Sequence, residues 1–523
     1  MLSALALFLA SIGAGIEEPA SREVTSVGNG IWKIRFGTPE EFTPCAFRKR
    51  EPDLEGLKRL PGAPNPPFDL AAISCEIRPS RTIVKIPCDD KGVPIYGFGL
   101  DPGAFNQRGL RKWLSVSASV VGKTGASHGP VPFYVSAEGY GLYVDTARVP
   151  FVHVARLSSK GAIPETHGES GKTLATSETD LYAARKAEGL QHVVFDLAGN
   201  GSGVDVFVFA GPTPREAVQR FNLFSGGGCV PPMWGLGQKY RTHSNAVQDE
   251  ALRLAKSIRD MNVPCDMFGF EPGWQTHAYS CSLVWSRERF PNHRTMLDQL
   301  RDMGFRPNLW EHAYIHPTSP LFEPLHDKSG DYLVWQGLVV DFADSEASRV
   351  FADYHEKSLV NEGISGFKAD ECDRQFIDDV TPFNYPECSM FPSGIDGDQM
   401  TQMYGYLYQR SLLSVFRKND ARTWGDVRAT SALAAPLPFC LYSDAYKFDE
   451  YLRQLVNASF TGLLWSPEVR EAHSREELLN RVAMSGLAPQ MCLNIWFMPH
   501  PVWQQYERVK NEKNELRSEE RRV

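Results

Sequence analysis

The chain has 523 residues, more than one ordinary domain holds, so a large module with at least one accessory module is expected. With 42% hydrophobic and 23% charged residues it reads as globular and able to bury sizeable cores. A net charge of −8 leaves no basic footprint, which argues against nucleic acid or an anionic membrane surface as partner.

In chain order, residues 2–14 form an apolar run with small residues, and Gly13-Ala14-Gly15 suits the end of a secretory signal. No basic residue precedes the run. Residues 1–20 are read as a leader of a secreted or periplasmic protein, the alternative being a cytoplasmic one. The run is too short to cross a bilayer and no other segment qualifies, so no membrane span is expected. The 10 cysteines are scattered without close metal-ligand spacing, and no metal is expected. Cys372 with Cys388, or Cys265 with Cys281, would suit loop disulfides in an exported protein; buried free thiols are the alternative. Asn200-Gly-Ser202 and Asn457-Ala-Ser459 match the glycosylation acceptor pattern, which is too common to weigh.

Residues 21–225 read as all-β. Runs such as GIWKIRF, RTIVKI, FVHVA and GVDVFVFAG are rich in Val, Phe and Tyr and are separated by Gly, Pro and Asp turns. A β-sandwich is the natural packing for them. Thr213-Pro214 then caps a helix leading out of this domain.

From Pro231 apolar strand runs alternate with amphipathic helices. PMWGLG, CDMFGF, RPNLWE, ISGFKAD, RTWGDVR, FCLYSDA, TGLLWS and APQMCLNIW are the strand candidates, with helices expected at 246–261, 295–303, 347–361, 399–418 and 474–485. That rhythm is the α/β pattern of a (β/α)₈ barrel, placed at residues 226–507. Functional residues should follow the strands, at Glu271, Glu311, Asp370, Asp426, Arg428, Asp444, Glu468 and Arg470. Residues 508–523 are nearly all polar or charged and offer little apolar face to a last barrel helix.

The centre of this pattern is residues 364–374, where ISGF ends in Lys368, Asp370, Glu371, Asp373 and Arg374. A carboxylate at such a strand tip, with a lysine two residues before it, is a candidate nucleophile whose anion the cation favours. The alternative is structural: Glu371 and Asp373 capping the next helix, and Asp370 paired with Lys368.

Several stretches in order resemble glycoside hydrolase family 31, retaining α-glycosidases with an N-terminal β-sandwich and a (β/α)₈ barrel. Phe270-Glu-Pro-Gly-Trp274 stands where the family has Leu-Asp-x-x-Trp, and Trp285 with Arg289-Phe-Pro-Asn292 matches its Trp-x-x-x-x-Phe-Pro segment. Val340-Asp-Phe342 matches a Val-Asp-Phe strand, and Phe367-Lys-Ala-Asp370 resembles the nucleophile motif Phe-Lys-x-Asp of α-xylosidase-like members. Arg428-Ala-Thr430 resembles an Arg-Ser segment, and Tyr442-Ser-Asp444 resembles the segment carrying the acid/base Asp. The departures fall on sugar-contacting positions. Glu271 replaces an Asp, Cys492-Leu-Asn494 an Arg-x-His, and Trp465-Ser-Pro-Glu468-Val-Arg470 a Gly-rich loop. No stretch after the barrel corresponds to the C-terminal β-domains of most members.

The resemblance implies cleavage of a terminal α-linked sugar from an oligosaccharide or glycoside by double displacement. That chemistry needs two carboxyl groups about 5–5.5 Å apart, one ionised and one protonated. Asp370 is expected to attack and Asp444 to act as acid and then base. Glu271, Trp274, Trp310, Lys368, Arg428, Trp465 and Asn494 are expected to bind the sugar, with Glu468 and Arg470 setting specificity. An α-galactoside, α-N-acetylgalactosaminide or α-xyloside is the expected substrate class. No metal or organic cofactor is implied. The alternatives are a catalytically silent carbohydrate-binding relative and a lyase of the same family.

Overall fold

A computed structural model describes residues 21–48, 50–89, 91–118, 124–157, 191–373, 384–442, 447–470, 472 and 474–494. The apolar leader, Asp444, Arg374 and the charged tail from residue 508 lie outside the described residues.

The N-terminal region is a sandwich of two antiparallel sheets. One runs Arg22–Gly28, Ile31–Gly37, Gly203–Ala210, Tyr140–Asp145, Pro130–Ser136, Ile95–Gly99. The other runs Ser74–Arg78, Arg81–Cys88, Gln191–Ala198, Pro150–Leu157, Arg111–Trp113. Strand Gly203–Ala210 explains how the sandwich joins the rest of the chain, because it is buried at every position. Its period-2 alternation sends Val204, Val206 and Val208 into the inter-sheet core with Val84, Ile86 and Phe195. Phe207 and Phe209 point the other way, onto Phe221 and Phe224 of helix Pro214–Phe224. That helix begins as its sequence predicts, with Thr213 accepting the Arg215 N–H at 3.3 Å and Pro214 in the first turn.

The second region is a parallel barrel. Its strands are, in order, Gln238–Arg241, Met267–Phe270, Arg306–Glu311, Gly366–Ala369, Gly425–Val427, Phe439–Leu441, Glu468–Val469 and Met491–Leu493. The eighth strand pairs with the first, and a parallel bridge between Leu441 and Trp465 joins the sixth to the chain entering the seventh, so the ring closes. Side-chain caps start three of its helices: Asp344 accepts from Ala347 N, Asp396 from Gln399 N and Ser474 from Glu477 N. Gly366 opens the fourth strand because a Cβ there would meet the Trp424 carbonyl oxygen at 2.2 Å. Among the described residues, no helix is long and apolar enough to cross a membrane.

Several expectations change. The apolar PMWGLG run is a 3₁₀ turn over Met233–Leu236, and the first barrel strand is the polar Gln238–Arg241. Val340 of the Val-Asp-Phe match ends strand Gly337–Val340, which belongs to a small antiparallel sheet inserted after the third barrel strand, with Tyr314–Ile315 and Ser329–Val334. All ten cysteines are free, so neither expected disulfide is present. Asn200 and Asn457 are buried, and Asn457 donates to the Asp101 and Ala104 carbonyls, which leaves neither amide open to a glycan.

The sandwich lies on the barrel's C-terminal rim. Gln402, on helix Gly397–Lys418, donates to the Leu114 carbonyl at 2.8 Å and accepts the Val116 N–H at 2.6 Å. Phe221 is the apolar counterpart of this junction, fully buried and stacked on Phe133 with ring centroids 3.9 Å apart. Phe221→Ala is expected to destabilise the fold by about 3–5 kcal/mol. Chemical denaturation should show this as a lower midpoint, and a shift under about 1 kcal/mol would mean the helix is not a structural joint.

Candidate active site

Alternation along short strands decides what reaches the barrel interior. In the third strand Asn308 and Trp310 point inward, while Leu309 and Glu311 face the helices. From the other strands come Lys239, Arg241, Lys368, Asp426 and Glu468, all buried. Charges so placed persist only when paired, and each is. Lys239 donates to Asp426, and the Arg241 Nε donates to Glu271. Arg241 also reaches Asn308 Oδ1 at 2.5 Å and the Phe270 carbonyl at 2.8 Å. Asn494 accepts the Arg241 backbone N–H at 3.1 Å and donates to Glu468, which Arg470 faces at 3.1 Å.

Above this floor sits Asp370, directly after the fourth strand. Its Oδ2 accepts the Trp310 indole N–H at 2.5 Å and lies 3.7 Å from the Lys368 ammonium. Its Oδ1 accepts the Glu371 N–H at 2.8 Å and faces Arg428 Nη1 at 3.4 Å. Glu371 holds a left-handed φ of 50°, and the Tyr314 hydroxyl donates to its carbonyl at 2.7 Å. A strained backbone thus turns an amide onto the carboxylate. Arg428 is fixed from behind by Asp373 at 2.9 Å, and Lys368 lies 4.8 Å from the centre of the Tyr442 ring. Two cations and two N–H donors on one carboxylate are the surroundings an anionic nucleophile requires.

Burial alone would raise the Glu271 carboxyl, but Lys368, 3.4 Å away, and Arg241 bring it below its ordinary value. Burial would lower the Lys368 ammonium, but Glu271 and Asp370 raise it. His312, missed in the sequence, packs beside Trp310 and Tyr279, and burial pushes it down to about 3, so it is a neutral ring.

Lys368, Tyr442, Ser466, Glu468 and Cys492 help to line a cavity of about 20 Å³ over the floor, room for roughly one water. Of the expected sugar-binding residues, Glu271, Lys368, Trp310, Arg428, Glu468, Arg470 and Asn494 join this constellation. Trp274 and Trp465 do not. Trp274 is fully buried, donates to the Trp310 carbonyl at 2.6 Å and packs on Trp285, so it supports the wall from behind. Trp465 points into the helix layer against Tyr451. Glu311 also faces outward, accepting from Tyr408 at 2.6 Å and bonded to His355 at 3.0 Å.

With this geometry in place, comparison gives a family. The profile of the glycosyl hydrolases family 31 TIM-barrel domain matches residues 228–503, more than half of the chain. The chain belongs to glycosyl hydrolase family 31. It is 26% identical over 303 residues to the alpha-xylosidase XylQ of Lactiplantibacillus pentosus, covering 55% of this chain and 34% of that protein. An alpha-xylosidase of Emericella nidulans is 23% identical over 336 residues, covering 61% and 37%. The chain thus spans little more than a third of the length of these curated relatives. A family 31 dextranase of Flavobacterium johnsoniae complexed with glucose shares the fold at TM-score 0.66 and 15% identity, covering 91% of this chain and 63% of that one. A soil-metagenome α-xylosidase of the family, complexed with xylose, does so at 0.65 and 12%, covering 92% and 75%.

The sequence reading missed Lys239, Arg241, Asn308 and the support given by Tyr442. The available signal was Lys-x-Arg in Gln238–Arg241, whose spacing puts both cations on one strand face. The floor makes a test possible. A carboxyl that folds below its ordinary 4.5 gives stability above that value and loses it as pH falls through the folded value. Glu271→Gln should therefore lower the thermal midpoint at neutral pH, and the gap to wild type should narrow as pH drops below 4.5. A gap that stays constant with pH would show that Glu271 is not held as an anion.

Proposed function

We propose that this family 31 protein is a retaining α-glycosidase. In this reading Asp370 attacks the anomeric carbon and Asp444, two residues beyond Tyr442, protonates the leaving oxygen. The observation that carries the reading is the Asp370 carboxylate, held by Trp310 and the Glu371 amide and flanked by Lys368 and Arg428. The first displacement gives a β-glycosyl ester on Asp370. Asp444, now a base, takes a proton from the water that hydrolyses the ester.

Among the sugars under consideration, an α-xyloside fits best. Phe367-Lys-Ala-Asp370 carries the Phe-Lys-x-Asp pattern of α-xylosidase-like members, and its Lys368 stands 3.7 Å from the Asp370 carboxylate. The names of the two alpha-xylosidase relatives point the same way. The pairing of Glu271, Asn494 and Glu468 with one another's neighbours, at positions where the family has other residues, favours a second reading, a catalytically silent carbohydrate-binding relative.

Purified protein screened against aryl α-glycosides, with Asp370→Asn as control, separates the two. Turnover of the xyloside, lost by at least about 10³-fold in the control while folding is retained, is the expected outcome. An equally active Asp370→Asn variant would sink the nucleophile assignment. No turnover by folded wild type on any sugar would favour the silent binder. Asp444→Ala should keep activity on substrates with good leaving groups when azide is added; failure of that rescue counts against Asp444 as acid/base.

A further inference from the structure

Among the described residues, the sandwich contributes the His128 side chain to the surroundings of Asp370. His128 lies between Ser127 and strand Pro130–Ser136 and is fully buried at the barrel rim. Its Nδ1 faces the Tyr442 carbonyl at 3.1 Å, and its Nε2 faces the Ala118 carbonyl at 3.1 Å and Asp373 Oδ2 at 3.5 Å. These oxygens can only accept. A neutral imidazole carries one N–H and would turn a bare nitrogen on one of them; the imidazolium donates at both. The ring is also fixed by its backbone, since the His128 carbonyl accepts the Thr430 N–H at 3.0 Å, two residues after Arg428.

Each partner leads to one of the cations beside Asp370. Asp373 accepts from Arg428, which faces Asp370 Oδ1. Tyr442 presents its ring to Lys368, which faces Asp370 Oδ2. We propose that His128 is a positioning residue, an imidazolium supplied by the sandwich that orients Arg428 through Asp373 and Lys368 through Tyr442. This rests on the reading of Asp370 as nucleophile. Misplacement of a catalytic group by about 1 Å from a remote change can cost on the order of 100-fold in rate. The effect should fall on kcat, because His128 touches neither substrate nor the reacting atoms.

The test uses the full chain labelled with ¹⁵N in histidine and arginine side chains. At neutral pH both ring nitrogens of His128, assigned by their absence in His128→Gln, should carry protons; a ring with one bare nitrogen overturns the proposal. The Arg428 Nε–H, assigned with Arg428→Lys, should shift in His128→Gln, and an unmoved resonance overturns it. On the glycoside that wild type turns over, His128→Gln should lower kcat by about 10-fold to 100-fold with KM within about threefold. Unchanged kcat from folded variant overturns the positioning role. Should His128→Gln fail to fold, Asp373→Asn takes its place, with the same loss of kcat and a lower titration midpoint for the imidazolium; an unaltered midpoint is contrary evidence. An active Asp370→Asn variant refutes the nucleophile reading separately, because the two resonance measurements need no turnover.

Discussion

An ion removed from water survives in a folded protein only if a counter-ion and hydrogen bonds replace its hydration. That constraint governs the barrel interior of this protein. Lys239, Arg241, Lys368 and Arg428 come from the first, fourth and fifth strands or their ends, and Glu271, Asp370, Asp373, Asp426 and Glu468 from the second, fourth, fifth and seventh. No strand supplies both members of every pair it needs. The charged layer can form only when the ring is closed, which ties the state of Asp370 to completion of the barrel. Taking away one partner would leave another charge buried and unpaired, the costlier side of the desolvation balance.

The sandwich enters this network through two kinds of contact. The apolar one is strand Gly203–Ala210, whose Phe207 and Phe209 rest on the helix leading into the barrel. The polar one is the backbone of Leu114 and Val116, bonded to Gln402, and nearby Gly129 packs so closely that a Cβ there would meet Leu441 at 2.8 Å. Non-directional burial joins the domains, and directional bonds set their register on the rim. A fixed register is what allows a sandwich residue to face the Tyr442 carbonyl at 3.1 Å and Asp373 at 3.5 Å.

How much of this was legible depended on what each signal measures. Apolar runs ending in charge located six barrel strands, because burial on both faces demands such runs, while TGLLWS stops short of the seventh, Glu468–Val469. The same rule misplaced the first strand: PMWGLG is apolar but turns, whereas Gln238–Arg241 is polar because its inward face meets Asp426 and Glu271. Residue type located the aromatic wall but not its facing. Trp310 and Glu311 are adjacent, so only one could look inward, and the strand register chose Trp310. Trp274 and Trp465 were plausible sugar platforms by type, yet both bury their rings in packing. His128 carried no local signal toward the site, since its partners Asp373 and Tyr442 lie far along the chain and only the domain docking brings them together.

The departures from the family's motifs are best understood together. Read singly, Glu271 for Asp, Asn494 for a sugar-contacting His, and Glu468 with Arg470 for a Gly-rich loop look like scattered losses of sugar contacts. In space they form one chain: Glu271 receives Arg241, the Arg241 amide donates to Asn494, Asn494 donates to Glu468, and Glu468 faces Arg470. Arg241 needs a carboxylate that reaches it, and the extra methylene of Glu over Asp supplies about one bond length of reach. Asn494 then satisfies the backbone N–H of that residue, and Glu468 accepts from the Asn494 amide. This connected layer therefore requires all of these residues at once, since removing one leaves a buried polar group of the next without its partner. The departures are thus coupled to one another, while the groups that hold the Asp370 carboxylate, Trp310 and the Glu371 amide, lie outside the set.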